Sequence, residues 1–486
     1  MAPVNNTAYL AAVEGGGTTF IVSVACVVEP SSSKQDIGGN ENDHKIISMG
    51  STTLKLLHTA TIPERDGLTG EIPSTYTPEQ IIDEACSFFR AHLPPDRTHY
   101  SALGIATFGP AGVDPKTKQY GKILSGSPKK QWRGVDILSP IREACGLLGD
   151  QLDKRVAFDT DVNAPAVAEF RHRCYLQQQS SKHNNLKPLT SLAYITVGTG
   201  VGVGLVLNSQ PVHGLLHPEG GHICIQPLPG DNFAGYSWGA VAPYKGRGTV
   251  EGVASSVALT ERLIQMEKES VKKLHRKGDS GNSSSRREDD EQSQRSDTLT
   301  INYSIGENGD NAQTREILST LTNSHEAWHH ASNALANLCV SLLLLTSCQK
   351  IVLGGGIMKR DILYQMIRSR VWTLLNGYLD SVEELSEERK LEEVIVKSSW
   401  EEVGSGLVGA FALALDAYEG KDEVEGGEDE VEVEGATGGT TALDIHFGGK
   451  KKAPFMSGVL VGVGLSLASA LVISLYGRGS LRRNIS

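Results

Sequence analysis

The sequence predicts an α/β fold of two lobes, each built around a hairpin that turns on glycines. Three observations carry that expectation. The chain has 486 residues, more than a single hydrophobic core ordinarily serves. Two stretches read as strand, glycine-rich turn, strand: YLAAVEGGGTTFIVSVACVV from Tyr9, and TVGTGVGVG (Thr196 to Gly204) between the apolar runs LAYIT and VGLVL. Apolar strands and segments of helical period alternate behind each hairpin, as expected of one α/β unit used twice.

Taken in order, PEQIIDEACSFFRAHL (Pro78 to Leu93) has helical apolar spacing with proline at its start. ALGIATFGP (Ala102 to Pro110) and RVAFDTD (Arg155 to Asp161) read as buried strands whose ends carry polar or Gly-Pro turns, where open α/β sheets place their chemistry. EAWHHASNALANLCVSLLLLTSC (Glu326 to Cys348) predicts a long, largely buried helix. KIVLGGGIM (Lys350 to Met358) is a strand running into a triple-glycine turn. An amphipathic helix (Arg360 to Leu375), a strand at EEVIVKSS and a small-residue helix at GSGLVGAFALAL (Gly404 to Leu415) complete the pattern.

Three segments, 30–45, 177–188 and 267–312, are polar and poor in apolar residues; they read as surface insertions, the last with the composition of disorder. Residues 419–452 form an acidic, glycine-rich linker. The uncharged stretch 453–476 is long enough to cross about 30 Å of hydrocarbon as a helix, and a basic tail, 477–486, follows. The expected organisation is therefore an N-terminal α/β lobe (1–160), a C-terminal α/β lobe (161–418) with its insertion, the linker, a C-terminal single transmembrane helix and the tail. A tail anchor would hold the catalytic part facing the cytosol, on the mitochondrial outer membrane or the endoplasmic reticulum. A buried core helix is the alternative for 453–476, and Gly458 with Gly462 form a weak helix-packing pair.

Composition narrows the class of partner. A formal charge of −11 argues against nucleic acid, which needs a basic face. The seven cysteines are scattered and flanked mostly by apolar residues, so they read as reduced core thiols. The N-terminus lacks the basic and apolar order of a cleaved signal.

The chemistry-bearing residues gather on the glycine turns and strand ends. Glycines 198, 200, 202 and 204 let backbone amides approach phosphoryl oxygens with no Cβ in the way. Asp161, in FDTDVNA, sits where a carboxylate can take the proton of a hydroxyl attacking a γ-phosphate, with Asn163 holding the substrate; helix capping is the alternative. Glu219 and His222, in HPEGGH, suit vicinal sugar hydroxyls, against a metal site or a structural turn. Glu251 offers one more acceptor, against a solvated helix-start glutamate. His329 and His330 read as helix residues.

These motifs resemble the ROK family (repressor, open reading frame, kinase) of sugar kinases, and its fructokinase branch most closely. VEGGGTTF, ATFGP with DPKTKQYGKILSGSPKKQW, FDTDVNA, TVGTGVGVG, HGLLHPEGGH and IVLGGGIM follow in the family's order from about Tyr9 to Tyr418. The resemblance implies a two-lobed actin-like ATPase (ribonuclease H-like) fold closing over ATP, Mg²⁺ and a hexose. It makes Asp161 the general base and Glu219, His222 and Glu251 the sugar ligands beside Asn163. Gly16, Gly17, Thr18, Gly198, Thr199 and Gly200 become phosphate-loop residues, with Gly354, Gly355 and Gly356 by the adenosine.

The chain departs from the family pattern in two places. Ser237, Lys245 and Gly248 or Thr249 stand where the family holds zinc with His222, so a lost zinc site and no protein metal site are expected. Thr19 replaces the usual phosphate-loop lysine. The expected reaction is ATP with D-fructose to ADP and fructose 6-phosphate. The alternatives are a mannose or glucose kinase and a catalytically impaired, membrane-tethered sugar-binding protein. A homodimer is left open; a repressor is not expected, since no helix-turn-helix precedes the first phosphate loop.

Overall fold

A computed structural model describes residues 7–16, 19–28, 45–64, 76–94, 97–149, 151–180, 187–237, 242–279, 312–400 and 402–420. Two mixed sheets organise them. The first contains β1 (Tyr9–Gly15), β2 (Phe20–Val28), β3 (Ile46–Met49), β4 (Thr52–Ile62), β5 (Ala102–Thr107) and β6 (Val156–Thr160), in the order β3-β4-β2-β1-β5-β6. The second contains β7 (Leu192–Val197), β8 (Val201–Leu207), β9 (Gln210–Pro211), β10 (Lys350–Gly354) and β11 (Ile395–Lys397), in the order β11-β10-β7-β8-β9.

Both sheets follow one plan. β1 pairs antiparallel with its hairpin partner β2 and parallel with β5, which is itself parallel to β6. β7 likewise pairs antiparallel with β8 and parallel with β10, which is parallel to β11. The parallel strands end on the same edge, so residues just past β1, β5, β6, β7 and β10 are brought towards one another.

Strand alternation sorts side chains into layers. Ala11 and Val13 face an outer core that holds α1 (Pro78–Ala91) and α2 (Leu138–Ala144). Leu10 and Ala12 face a central core shared with Leu192 and Tyr194 of the second sheet. Two helices fill that central layer, α3 (Asn163–Ser180) and, drawn from much later in the chain, a final helix over Ser405–Glu419. Ala193, Ile195 and Val197 face the outer core of the second sheet. That core is covered by α4 (Val250–Ala254), α5 (Ser256–Asp279), α6 (Ala312–Thr320), α7 (Glu326–Thr346) and α8 (Ile362–Leu375). A single turn, α9 (Leu391–Val394), leads into β11, and the final helix is α10.

Local chemistry explains the boundaries. Thr77 caps α1 through a reciprocal box with Gln80, and Pro78 occupies the first turn where its missing N–H costs nothing. α7 stops at Ser347 and α8 at Asn376, both in the left-handed conformation that closes helices.

The expectation of a C-terminal membrane helix is corrected. Among the described residues no helix is long and apolar enough to cross a membrane. The apolar helices among the described residues, α7 and α10, turn most of their apolar surface into the protein cores, with Leu344 and Leu345 at the end of α7 left exposed. The stretch 453–476 and the linker before it lie outside the described residues, and nothing among the described residues supports the membrane-anchored location that rested on them.

The first part of the segment read as a polar insertion, 267–312, is helical, since α5 continues through Asp279. Its Lys and Glu content favours helix as well as solvent, and Gln265 and Glu269 pair one turn apart at 2.9 Å. Residues 280–311 lie outside the described residues. Five cysteines are buried, Cys174 is half-buried and Cys224 is exposed.

Candidate functional site

Three strand ends of the first sheet set out the first half of the site. Gly15 of β1 is paired with Thr107 of β5, and Thr107 with Thr160 of β6. Asp161 therefore emerges beside Thr107, to whose carbonyl its N–H donates at 2.7 Å. Glu14, at the end of β1, comes to the same place. The two carboxylates line a cavity of about 300 Å³ together with Thr196, Gly355, Gly356 and Lys359 from the second sheet.

Burial raises the Asp161 carboxyl to about 6, against the opposing pull of the Lys129 ammonium and its own backbone amide. Burial also raises Glu14, to about 7, aided by the Asp161 charge and eased by the Leu407 backbone. Among the described residues Glu14 Oε2 is buried without a hydrogen-bond partner, and so is Thr107 Oγ1. Unpartnered buried polar atoms are uncommon in folded proteins and mark places where something else binds. Sequence reasoning did not single out Glu14, although its signal was there. It is an acid at the end of a parallel-sheet strand, as Asp161 is.

The loop from Val212 to His222 supplies the second half, and two imidazoles fasten it to the first sheet. His213 Nε2 lies 2.8 Å from Asp159 Oδ2, and His217 Nε2 accepts the Ala111 N–H at 3.2 Å. Beyond those anchors Glu219, His222 and Glu251 come together. His222 Nε2 is 3.7 Å from Glu219 Oε2, and His222 Nδ1 is 3.9 Å from Glu251 Oε1. Both separations exceed a hydrogen bond, and among the described residues His222 Nδ1 is buried with no hydrogen-bond partner. Burial lowers the His222 pKa, which favours the neutral ring.

Glu219 keeps 40% of its side chain exposed, yet its carboxyl is enclosed enough that burial raises it to about 7, helped by Glu251 and Asp161. Burial raises Glu251 to about 7 as well, against the Val201 N–H that donates to its Oε2 at 2.9 Å. That bond ties Glu251 to the TVGTG turn. A Cβ on Gly200 would stand 2.5 Å from the same oxygen.

Asn163 is placed differently. It is fully buried, its Oδ1 accepts the Leu205 N–H at 3.3 Å, and its Nδ2 donates to the Val212 carbonyl at 3.4 Å. Both ends of the amide are used by the backbone, so Asn163 ties β8 and the start of the HPEGGH loop to α3.

The glycine turns occupy the rest of the cleft. Gly16 donates to the Thr19 carbonyl at 2.9 Å; Gly17 and Thr18 lie outside the described residues. Gly198 closes its turn on the Gly200 carbonyl at 2.9 Å. Gly354 faces the Tyr194 hydroxyl. Gly355 holds φ +94° with Val197 backbone 2.5 Å from where a Cβ would be, a position open to glycine alone. Gly198, Thr199 and Gly356 line a second cavity of about 820 Å³ with Leu318, Trp328 and Arg360.

Among the described residues no group of three or more His, Cys, Asp or Glu is arranged to hold a metal ion. In the region of the family's zinc loop the structure shows a salt-bridged cluster. Arg262 grips Asp231 at 2.8 and 2.9 Å and lies over the Phe233 ring, while His330 Nδ1 stands 2.9 Å from Asp231. His330 is thus a partner of Asp231 and not only a helix-face residue. Mg²⁺ makes a different demand, since it is commonly held by one or two carboxylates together with substrate phosphates. The unpartnered Glu14 oxygen fits that demand.

The ROK family model matches residues 47–417. The chain is 29% identical to a fructokinase of Zymomonas mobilis over 385 residues, 78% of this chain and 99% of that protein. It is 27% identical to a putative fructokinase of Bacillus subtilis over 347 residues, 71% of this chain and 87% of that protein. A ROK family glucokinase from Streptomyces griseus, solved with glucose and AMPPNP, aligns over 84% of this chain and 99% of its own, at 16% identity and a TM-score of 0.48. With a family match over most of its length and sugar kinases among its relatives, this chain belongs to the ROK family, among its sugar kinases.

Proposed function

We propose that the protein is an ATP-dependent hexose kinase whose acceptor is D-fructose, giving ADP and fructose 6-phosphate. One observation carries the reading. The Asp161 carboxylate shares a cavity with the Gly355-Gly356 turn, which also borders the larger cavity beyond, so a proton acceptor and a nucleotide-sized space adjoin. The fructokinase names of the relatives support the choice of sugar.

In this reading Glu219, His222 and Glu251 hold the sugar hydroxyls, filling the gaps that leave His222 without a hydrogen bond. Asn163 holds the frame beneath them. Asp161 takes the proton of the attacking hydroxyl. A carboxyl near 6 stays ionised at neutral pH while being more basic than a free one, which suits that task. The Gly198–Gly200 turn offers the Thr199 and Gly200 amides to the phosphates, while the Gly16 and Gly198 N–H groups close their own turns; Gly17 and Thr18 are assigned to the same phosphate role from the sequence alone. Gly354, Gly355 and Gly356 border the adenosine. Mg²⁺, when bound, neutralises phosphate charge, and Glu14 is the residue to hold it.

The test is a coupled ADP-release assay on the full chain with fructose, mannose and glucose. The reading expects the highest kcat/KM for fructose. Preferential turnover of another hexose replaces the sugar; fructose binding without ADP release overturns the activity.

A further inference from the structure

Two cavities adjoin in this molecule, and their electrostatics differ. The larger, about 820 Å³, is bounded by the Gly198-Thr199 turn, Trp328, Arg360 and apolar side chains such as Leu318 and Ile357. The smaller, about 300 Å³, carries the carboxylates of Glu14 and Asp161. Among the described residues only Gly356 and Lys359 line both. A nucleotide seated in the larger space must send its phosphate chain past those two residues to reach Asp161.

That path is unfavourable as the carboxylates leave it. A polyphosphate approaching Glu14 and Asp161 meets like charge in a partly enclosed space, where screening is weak. Lys359 is the one cation among the described residues that line the smaller cavity. Arg360, next to it, is already committed: it bonds Asn323 Oδ1 and the Leu318 carbonyl and lies over the Trp328 ring. Among the described residues no hydrogen bond or ion pair holds the Lys359 ammonium, which stays exposed at the end of the Gly356–Lys359 turn. The turn fixes its backbone. Met358 N–H donates to the Gly355 carbonyl at 3.1 Å, and Gly355 is packed against Val197. The stem is placed while the head is left uncommitted.

Building on the kinase reading, we propose that Lys359 is a phosphate-binding residue. Its ammonium meets the phosphate chain of ATP at the boundary of the two cavities and offsets the repulsion of Glu14 and Asp161. A lysine suits this place as a compact, mobile point charge that follows a phosphate oxygen.

The test compares binding of ATP, ADP and adenosine to the full-length chain by titration calorimetry, for wild type, Lys359→Ala and Lys359→Arg. Lys359→Ala is expected to weaken ATP by about 10- to 100-fold, the usual size of one charge-assisted contact to phosphate. ADP weakens less, adenosine stays within about twofold, and the Arg variant recovers most of the ATP affinity. A melting temperature equal to that of wild type accompanies this result. Unchanged ATP affinity in Lys359→Ala overturns the proposal, and so does an equal loss for adenosine, which marks a purely structural effect. A wild-type chain that binds no ATP overturns it together with the kinase reading. Wild-type ATP binding without fructose turnover overturns the fructokinase reading alone, and the affinities still decide Lys359.

Discussion

His213 Nε2 and Asp159 Oδ2 stand 2.8 Å apart, joining the loop of Glu219 and His222 to the last strand of the first sheet. Asp159 is buried and its other oxygen accepts the Thr160 N–H. The hydrogen bond to Asp159 raises the His213 pKa above its ordinary value, against a smaller opposing effect of burial, with the charges of Asp159 and Asp114 adding to the rise. A raised folded-state pKa means that the charged part of this contact contributes fully below about 6.5 and is lost as pH rises through the folded value.

His213→Ala should therefore cost about 1 kcal/mol, a modest figure because the imidazole is partly exposed. The gap from wild type, read from denaturant midpoints at pH 6 and pH 9, should narrow at the higher pH. A gap independent of pH would refute the charged pairing. His217, whose pKa burial lowers, with Asp159 raising it and the His213 charge lowering it, faces the same pair, so a His213→Ala/His217→Ala double variant compared with His217→Ala separates its part.

Asp161→Asn removes the proton acceptor and keeps the shape. Turnover should fall by about 10²- to 10⁴-fold, with fructose affinity within about twofold of wild type. In wild type the acid limb of kcat should fall as pH drops through about 6, the value to which burial raises this carboxyl. Retained turnover, or an acid limb surviving in the variant, would reassign the base.

Gly200→Ala would place a methyl 2.5 Å from Glu251 Oε2, the oxygen that accepts the Val201 N–H at 2.9 Å. The carboxylate must turn away, so KM for the sugar should rise by about tenfold, a loss of roughly 1.4 kcal/mol of binding. Melting temperature should change little. An unchanged sugar KM would remove Glu251 from the sugar contacts.

Much of this architecture could be read in the residues because period and punctuation agreed. The Gly-turned hairpins became β1-β2 and β7-β8, and Pro78, Gly354 and Gly404 mark element boundaries. The strand Thr52–Ile62 was not read, because it mixes Lys and His with its apolar residues, as suits a strand only partly buried. α5 was cut short where its charged, solvent-facing sequence resembled linker. In the site, Asp161, Glu219, His222 and Glu251 stood out as acids and imidazole beside glycine turns. Asn163 did too, but which partners occupy a buried amide depends on β8 and Val212, and linear order does not hold that information. Glu14 and Lys359 matter through neighbours hundreds of residues away.

Gly104 of β5 lies under α10 so closely that a Cβ would fall 1.9 Å from the Ala410 carbonyl and 2.7 Å from the Ala414 amide. Backbone cannot yield as a side-chain end can. Gly104→Ala should destabilise the protein by about 3 kcal/mol, visible as a lower denaturant midpoint. A midpoint equal to wild type would show that helix and sheet are more loosely joined.

That contact has a consequence for how the chain is made. Leu10, Ala12, Ala102 and Ala106 share their core with Val408, Phe411, Ala414 and Leu415. The inner face of a sheet begun in the first residues is thus covered in part by a helix translated roughly 250 residues after its last strand, β6. A nascent chain can lay α3 on that face soon after β6, but it completes the cover of its earliest sheet only once the segment around residue 419 has been made.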